Sequence, residues 1–98
     1  MQVFLTARAE ADILEGNLWW RANRDNKAIF EDEVAAALLM LSASPTVGIR
    51  VRRREAGEVR RLYLKKTRRL MFYVVDEVAQ TVHVLRVWHA NRGHRPTP

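Results

Sequence analysis

A chain of 98 residues without cysteine can enclose one hydrophobic core, and it excludes a disulfide framework, a thiolate metal site and a cysteine nucleophile, as expected of a reducing cytoplasm. Its formal net charge of +6 is unevenly divided: four bases against seven acids over residues 1–45 (−3), and thirteen against four over residues 46–98 (+9). The C-terminal half is therefore the part expected to attract phosphates or an acidic protein, while early charge and the lack of any run of about 18 apolar residues exclude a signal peptide and a membrane span.

Residues 2–5, QVFL, predict a short strand that ends at Thr6, a good helix N-cap. Glu10 and Asp12 follow where the helix dipole favours acids. Ala9, Ile13, Gly16 and Trp20 recur on one helical face, with Leu14 and Leu18 expected to widen the stripe. Glycine inside a helix costs about 1 kcal/mol relative to alanine, so Gly16 predicts close approach of a second helix. NRDN, residues 23–26, is a turn signal that offers Asp25 or Asn26 as the next N-cap. Phe30, Val34, Ala37, Leu38 and Leu41 then mark a second helix, which stops at SASP because Pro45 disfavours helical backbone at Ser44.

From Thr46 the apolar period changes from 3.6 to 2. Val47, Ile49 and Val51 alternate with Gly48, Arg50 and Arg52. EAGE predicts a hairpin turn around Gly57, and Val59 to Leu64 the returning strand. After the KKTR turn, LMFYVVD is apolar on both faces, which predicts a central strand. DEVAQ turns the chain into TVHVLRVWH, and residues 94–98 are expected to form a flexible tail. The order β-α-α-β-β-β-β predicts a single α+β domain over residues 1–98, a helical hairpin packed on one face of a mainly antiparallel twisted sheet.

Two groups of residues could carry chemistry. Arg50, Arg52, Arg53, Arg54, Arg60, Arg61, Lys65, Lys66, Arg68 and Arg69 fall on successive strands and turns. Alternation is expected to gather the arginines after Pro45 on the side away from the helices as a landing surface for an acidic macromolecule, the competing reading being protection of sheet edges. The second group, Arg86, His89, Asn91, Arg92, His94 and Arg95, lies at the end of the last strand. Arg86 and Trp88 share one strand face and Val87 and His89 the other, so these groups converge only if the chain bends after His89. A ribonuclease working through the RNA 2′-hydroxyl would use His89, an arginine, and Glu55 or Glu58 as general base; a plain surface histidine is the alternative. His83 lies mid-strand among apolar residues and is a lesser candidate. Trp20 fits the buried stripe, whereas Trp19 points elsewhere and suits a protein-binding groove. There is no Gly-rich phosphate loop, metal-spaced cluster or Ser-His-Asp order, so no cofactor or metal is expected.

In this order, LTARAEADI, WWRANR, F-x-x-E-V, SASPTVG, RRLYLKKTRRLMFYVVDE and VHVLRVWHANRG resemble the RelE/ParE toxins of bacterial type II toxin-antitoxin systems over nearly the whole chain. The VLRVWHANR ending looks more like the ParE branch. The resemblance implies a cytoplasmic growth inhibitor neutralised by a cognate antitoxin, whose extended, acidic segment wraps helices and sheet, either as a toxin dimer or as a hetero-oligomer with that antitoxin. ParE-like members inhibit DNA gyrase and need no nucleophile. Trp19, Arg52, Arg54, Arg60, Arg61, Lys65, Lys66, Arg69, Arg92 and Arg95 would then contact partner or target. RelE-like members instead cleave mRNA on the ribosome. By that likeness Arg61, Arg69 and Arg86 would be the basic catalytic positions and His89 the C-terminal one, although no tyrosine follows His89. A third possibility is a non-toxic relic that only binds antitoxin or DNA.

Overall fold

The computed structural model describes residues 1–54 and 57–90, with Arg54 described by its backbone only. Seven elements follow in chain order: β1 (Gln2–Leu5), α1 (Ala7–Asn23), α2 (Ile29–Ala43), β2 (Ile49–Arg54), β3 (Gly57–Leu64), β4 (Arg69–Asp76) and β5 (Thr81–His89). This is the expected α+β arrangement, two helices on a five-stranded, mostly antiparallel sheet.

Thr6 caps α1 as its residue type dictates. Its backbone is extended and its Oγ1 accepts from the Ala9 N–H at 3.1 Å. The same hydroxyl donates to the Leu85 carbonyl at 3.0 Å, so the cap also pins the helix to β5. Gly16 meets the predicted second helix: a Cβ there would lie 2.7 Å from the ring tip of Phe30 in α2. Leu14 and Leu18 do not widen the buried stripe; they are 60% and 59% exposed. At about 100° per residue they lie roughly 140° and 180° around the helix from Ala9, on the flank facing away from the core.

α2 also starts differently from the expectation. Neither Asp25 nor Asn26 caps it. Ala28 holds the N-cap position without a side-chain bond, and Glu31 and Asp32 supply the favourable charge in the first turn. The connection is used instead to seat Trp20, whose indole N–H donates to the Asn26 carbonyl at 2.8 Å. Phe30, Val34, Ala37 and Leu41 are buried, and Leu38 packs half-buried beside them.

The strand order is β1-β5-β4-β3-β2. Only β1 lies parallel to its neighbour, from Gln2 opposite Thr81 to Leu5 opposite Val84. β4 takes the middle, where its two apolar faces are both covered. Met71, Tyr73 and Val75 join Leu64, Val82, Val84 and Val87 in the core beneath the helices. Leu70, Phe72 and Val74, with Val59 of β3, are buried on the reverse face. The Gly57 backbone, at φ 142°, is closed to L side chains, and a Cβ there would lie 2.1 Å from the Val75 carbonyl oxygen. No helix among the described residues is long and apolar enough to cross a membrane.

Candidate functional site

The end of β5 is built by α1. Pairing with β1 stops at Val84, and beyond that point the outer edge of β5 has no strand neighbour among the described residues. α1 and its cap replace one. Thr6 N–H donates to the Val84 carbonyl at 3.0 Å and Thr6 Oγ1 to that of Leu85. Asp12 then takes three bonds: from Val87 N–H at 3.0 Å, Arg86 Nε at 2.8 Å and Arg86 Nη2 at 3.1 Å. Arg86, by register on the face opposite the helices, turns around the edge to reach it. Both side chains are nearly buried, at 13% and 12% exposure. The Asp12 hydrogen bond is the main cause holding the Arg86 guanidinium above its usual pKa, with burial acting the other way. The guanidinium also lies 4.9 Å from the centre of the Trp88 ring.

Next to this clasp is a hollow of about 120 Å³ lined by Asp12, Glu15, Gly16, Trp19, Arg69, Val87, Trp88 and His89. Arg69 and His89 oppose each other in the β4–β5 register. The Arg69 guanidinium, buried, sits between the Trp19 ring at 5.9 Å and the Phe30 ring at 5.4 Å. Trp19 is half-exposed and stacks Arg24 on its ring at 5.1 Å. The hollow therefore offers aromatic walls with both cationic and carboxylate groups, a lining suited to holding a partner's side chain.

A second feature lies on the α2 side. Among the described residues β2 pairs with β3 only as far as Arg61, so residues 62–64 form an open sheet edge there. A groove of about 600 Å³ runs between that edge and α2, with Ile29, Ala36, Met40, Leu62 and Leu64 on its walls and Lys65 and Lys66 at its end. Glu33 of α2 secures it by accepting from Lys66 N–H at 2.8 Å, Thr67 N–H at 3.0 Å and Thr67 Oγ1 at 2.6 Å.

The basic residues do not form the single face expected from alternation. Strand register divides them. Arg50 and Arg60 lie on the helix side of β2 and β3, where both pair with Glu58, and Arg60 Nη1 also donates to the Gly48 carbonyl at 2.7 Å. Arg69 is buried beneath the helices. Arg61 belongs to the reverse face, in a hollow of about 390 Å³ with Val47, Ile49, Tyr63 and Leu70. Arg52 shares that face through its pairing with Val59, after a bulge between Arg50 and Arg52 shifts the register. Lys65, Lys66 and Arg68 are exposed in the turn between β3 and β4. The Arg54 side chain, Glu55, Asn91, Arg92, His94 and Arg95 lie outside the described residues.

Of the four residues carried over for RNA cleavage, Arg69 and His89 share the hollow, Arg86 is held by Asp12 and Arg61 is across the sheet. Of the two candidate bases, Glu58 is held between Arg50 and Arg60, and Glu55 lies outside the described residues. The carboxylates that line the hollow with His89 are Asp12, which the sequence placed only where the helix dipole favours acids, and Glu15, which the sequence reading did not single out. Their signal was present as spacing: Asp12 and Trp19 are seven residues apart, two turns along one helix face. His83 is exposed and stacks on Phe4 with centroids 5.3 Å apart.

The comparisons agree with this fold. The family model described as ParE toxin of type II toxin-antitoxin system, parDE, matches residues 3–93. Among solved structures, one described as a chromosomal ParDE TA system from P. aeruginosa aligns with a TM-score of 0.72 at 17% identity, over 93% of this chain and 97% of that one. The isolated E. coli RelE toxin aligns with a TM-score of 0.62 at 18% identity, over 95% of this chain and 87% of its own. At these identities the likeness is one of fold. No curated protein matches the chain.

Proposed function

The chain belongs to the ParE toxin family of type II toxin-antitoxin systems, and from that premise we propose that it is a cytoplasmic growth inhibitor, silenced by a cognate antitoxin, that acts on DNA gyrase. The observation that carries the choice of target over RNA cleavage is the separation of the candidate nuclease groups. Arg61 lies on the opposite side of the sheet from Arg69 and His89, and Arg86 is already committed to Asp12. General acid-base catalysis needs its groups within hydrogen-bond reach of one reacting centre. Inhibition by binding makes no such demand.

The groove between α2 and residues 62–64 supports the antitoxin contact. An open strand edge provides backbone donors and acceptors for an added extended segment, and alternate side chains can enter the apolar walls. Lys65 and Lys66 at its end favour an acidic segment. Trp19 and the hollow at the end of β5, with the exposed cations Arg52, Lys65 and Lys66, are the surfaces offered to the target. Because apolar burial is not screened by salt, the antitoxin complex is expected to weaken little between about 50 and 200 mM salt. Any contact with gyrase-bound DNA should weaken steeply over the same range.

Expression of the chain with and without its antitoxin tests the reading. The expected outcome is growth arrest relieved by the antitoxin, loss of supercoiling by purified gyrase and intact messages, with any loss of arrest in the His89→Ala variant matched by weaker inhibition of gyrase. Messages cut on the ribosome with supercoiling untouched would favour the RelE-like alternative. A chain without toxicity would be the relic.

A further inference from the structure

We propose that Asp12 is a positioning residue, whose carboxylate holds the end of β5 so that Trp88 and His89 stand in register beside Trp19. This rests on the toxin reading above and names the device that shapes its target-facing end. Past Val84 no strand among the described residues lies beside the outer edge of β5. An unpaired edge of this kind frays, because its backbone groups exchange freely with water. Here three successive ties from α1 and its cap replace the missing strand: Thr6 to the Val84 carbonyl, Thr6 to the Leu85 carbonyl, and Asp12 to the Val87 N–H. Of these three ties, the one from Asp12 binds both backbone and side chain, since Asp12 also holds Arg86 through two nitrogens. Arg86, fixed in that way, sets its guanidinium carbon over the Trp88 ring, 4.9 Å from the centroid, a contact that depends on where the guanidinium is held. The chain of dependence runs from carboxylate to guanidinium to indole.

The ties also sit opposite the irregular part of the ladder, where the β4–β5 register shifts between Phe72 and Tyr73. A bulge weakens local pairing and re-aims the side chains that follow it. The residues after this shift are Arg86, Val87, Trp88 and His89. Beyond the shift the ladder resumes from Arg86 opposite Phe72 to His89 opposite Arg69, and the tie from Asp12 holds the other edge of β5, which that ladder does not reach. α1 then does two things on one face two turns long, with Asp12 aiming the strand end and Trp19 forming the opposite wall of the hollow.

Asp12→Asn and Arg86→Lys test the proposal separately. Asparagine keeps the shape but sets an N–H₂ group against a donor, whereas lysine keeps the charge but loses the planar fork. The whole chain, labelled with 5-fluorotryptophan and observed by fluorine NMR, reports Trp88 directly, its resonance assigned with Trp88→Phe. Either variant is expected to shift or broaden the Trp88 signal while the Trp20 signal stays in place. In cells matched for soluble protein, growth inhibition should fall about tenfold, the loss expected from one misplaced anchor, while binding to the antitoxin through the α2 groove stays within about twofold. An unmoved Trp88 resonance overturns the proposal, as does full growth inhibition despite a moved one. A loss of toxicity that merely follows the folded fraction, measured by thermal melting, overturns it as well. If the unaltered chain does not arrest growth, the toxin reading falls, and the Trp88 resonance still decides whether Asp12 positions the strand end.

Discussion

A carboxylate from each helix reaches down to the sheet and takes three hydrogen bonds, yet the two ties differ in kind. Asp12 of α1 binds a nearly buried cation together with a backbone N–H at the end of β5. Glu33 of α2 binds only neutral donors, two N–H groups and the Thr67 hydroxyl, at the turn between β3 and β4. A charge-assisted, bidentate pair fixes orientation and is costly to break from one side only. A carboxylate spanning neutral donors organises a turn and leaves the neighbouring surface alone. The consequence is a clasped strand edge on one side of the molecule and an open apolar groove on the other. The first suits a surface held in a single arrangement, the second a surface awaiting an extended partner.

The largest expected effect strikes both sides at once. Phe30 is fully buried between them, touching Gly16 of α1 and lying under the Arg69 guanidinium. Phe30→Ala should cost about 3–5 kcal/mol, visible as a large fall in the thermal midpoint. Asp12→Ala should cost roughly 1.5–3 kcal/mol, because it leaves the Arg86 charge without its partner. Restoring much of that stability with the double change Asp12→Ala, Arg86→Met would show that the loss is the uncompensated cation. Glu33→Gln should cost about 1 kcal/mol, since a glutamine has one acceptor oxygen where two are used. Equal losses at Asp12 and Glu33 would erase the distinction between the two ties.

The smallest effect is confined to alkaline pH. Burial raises the Tyr73 pKa, partly opposed by the Gly48 N–H that donates to its hydroxyl. The unfolded chain therefore loses this proton first as pH climbs past about 10, and the folded chain binds more protons there. Stability is expected to be level below that pH and to decline above it. Tyr73→Phe should remove the decline, as measured by denaturant midpoints across about pH 8 to 11.

Much of the fold was legible because local chemistry and periodicity suffice for it. Thr6 announced the start of α1, Gly16 announced the helix crossing, and the doubly apolar LMFYVVD announced the central strand. The misreadings came where a long-range contact outweighed a local preference. Asn26 had the right side chain for a cap, but its carbonyl was taken by Trp20. Leu14 and Leu18 extended an apolar stripe, but the core lies on the other side of the helix. In the candidate site, Trp19 and His89 were legible by residue type, whereas Asp12 was read only as a dipole partner because Arg86 lies 74 positions away.

By itself the sequence determined the element order and the layer arrangement, consequences of nearest-neighbour preferences and of apolar period; it also carried the uneven charge and, in its motifs, the likeness to toxin families. Only the tertiary structure decided which cations remain open to a partner and which are consumed within the fold. Strand register and a one-residue bulge send adjacent arginines to opposite faces. The carboxylates that claim them arrive from elements distant along the chain.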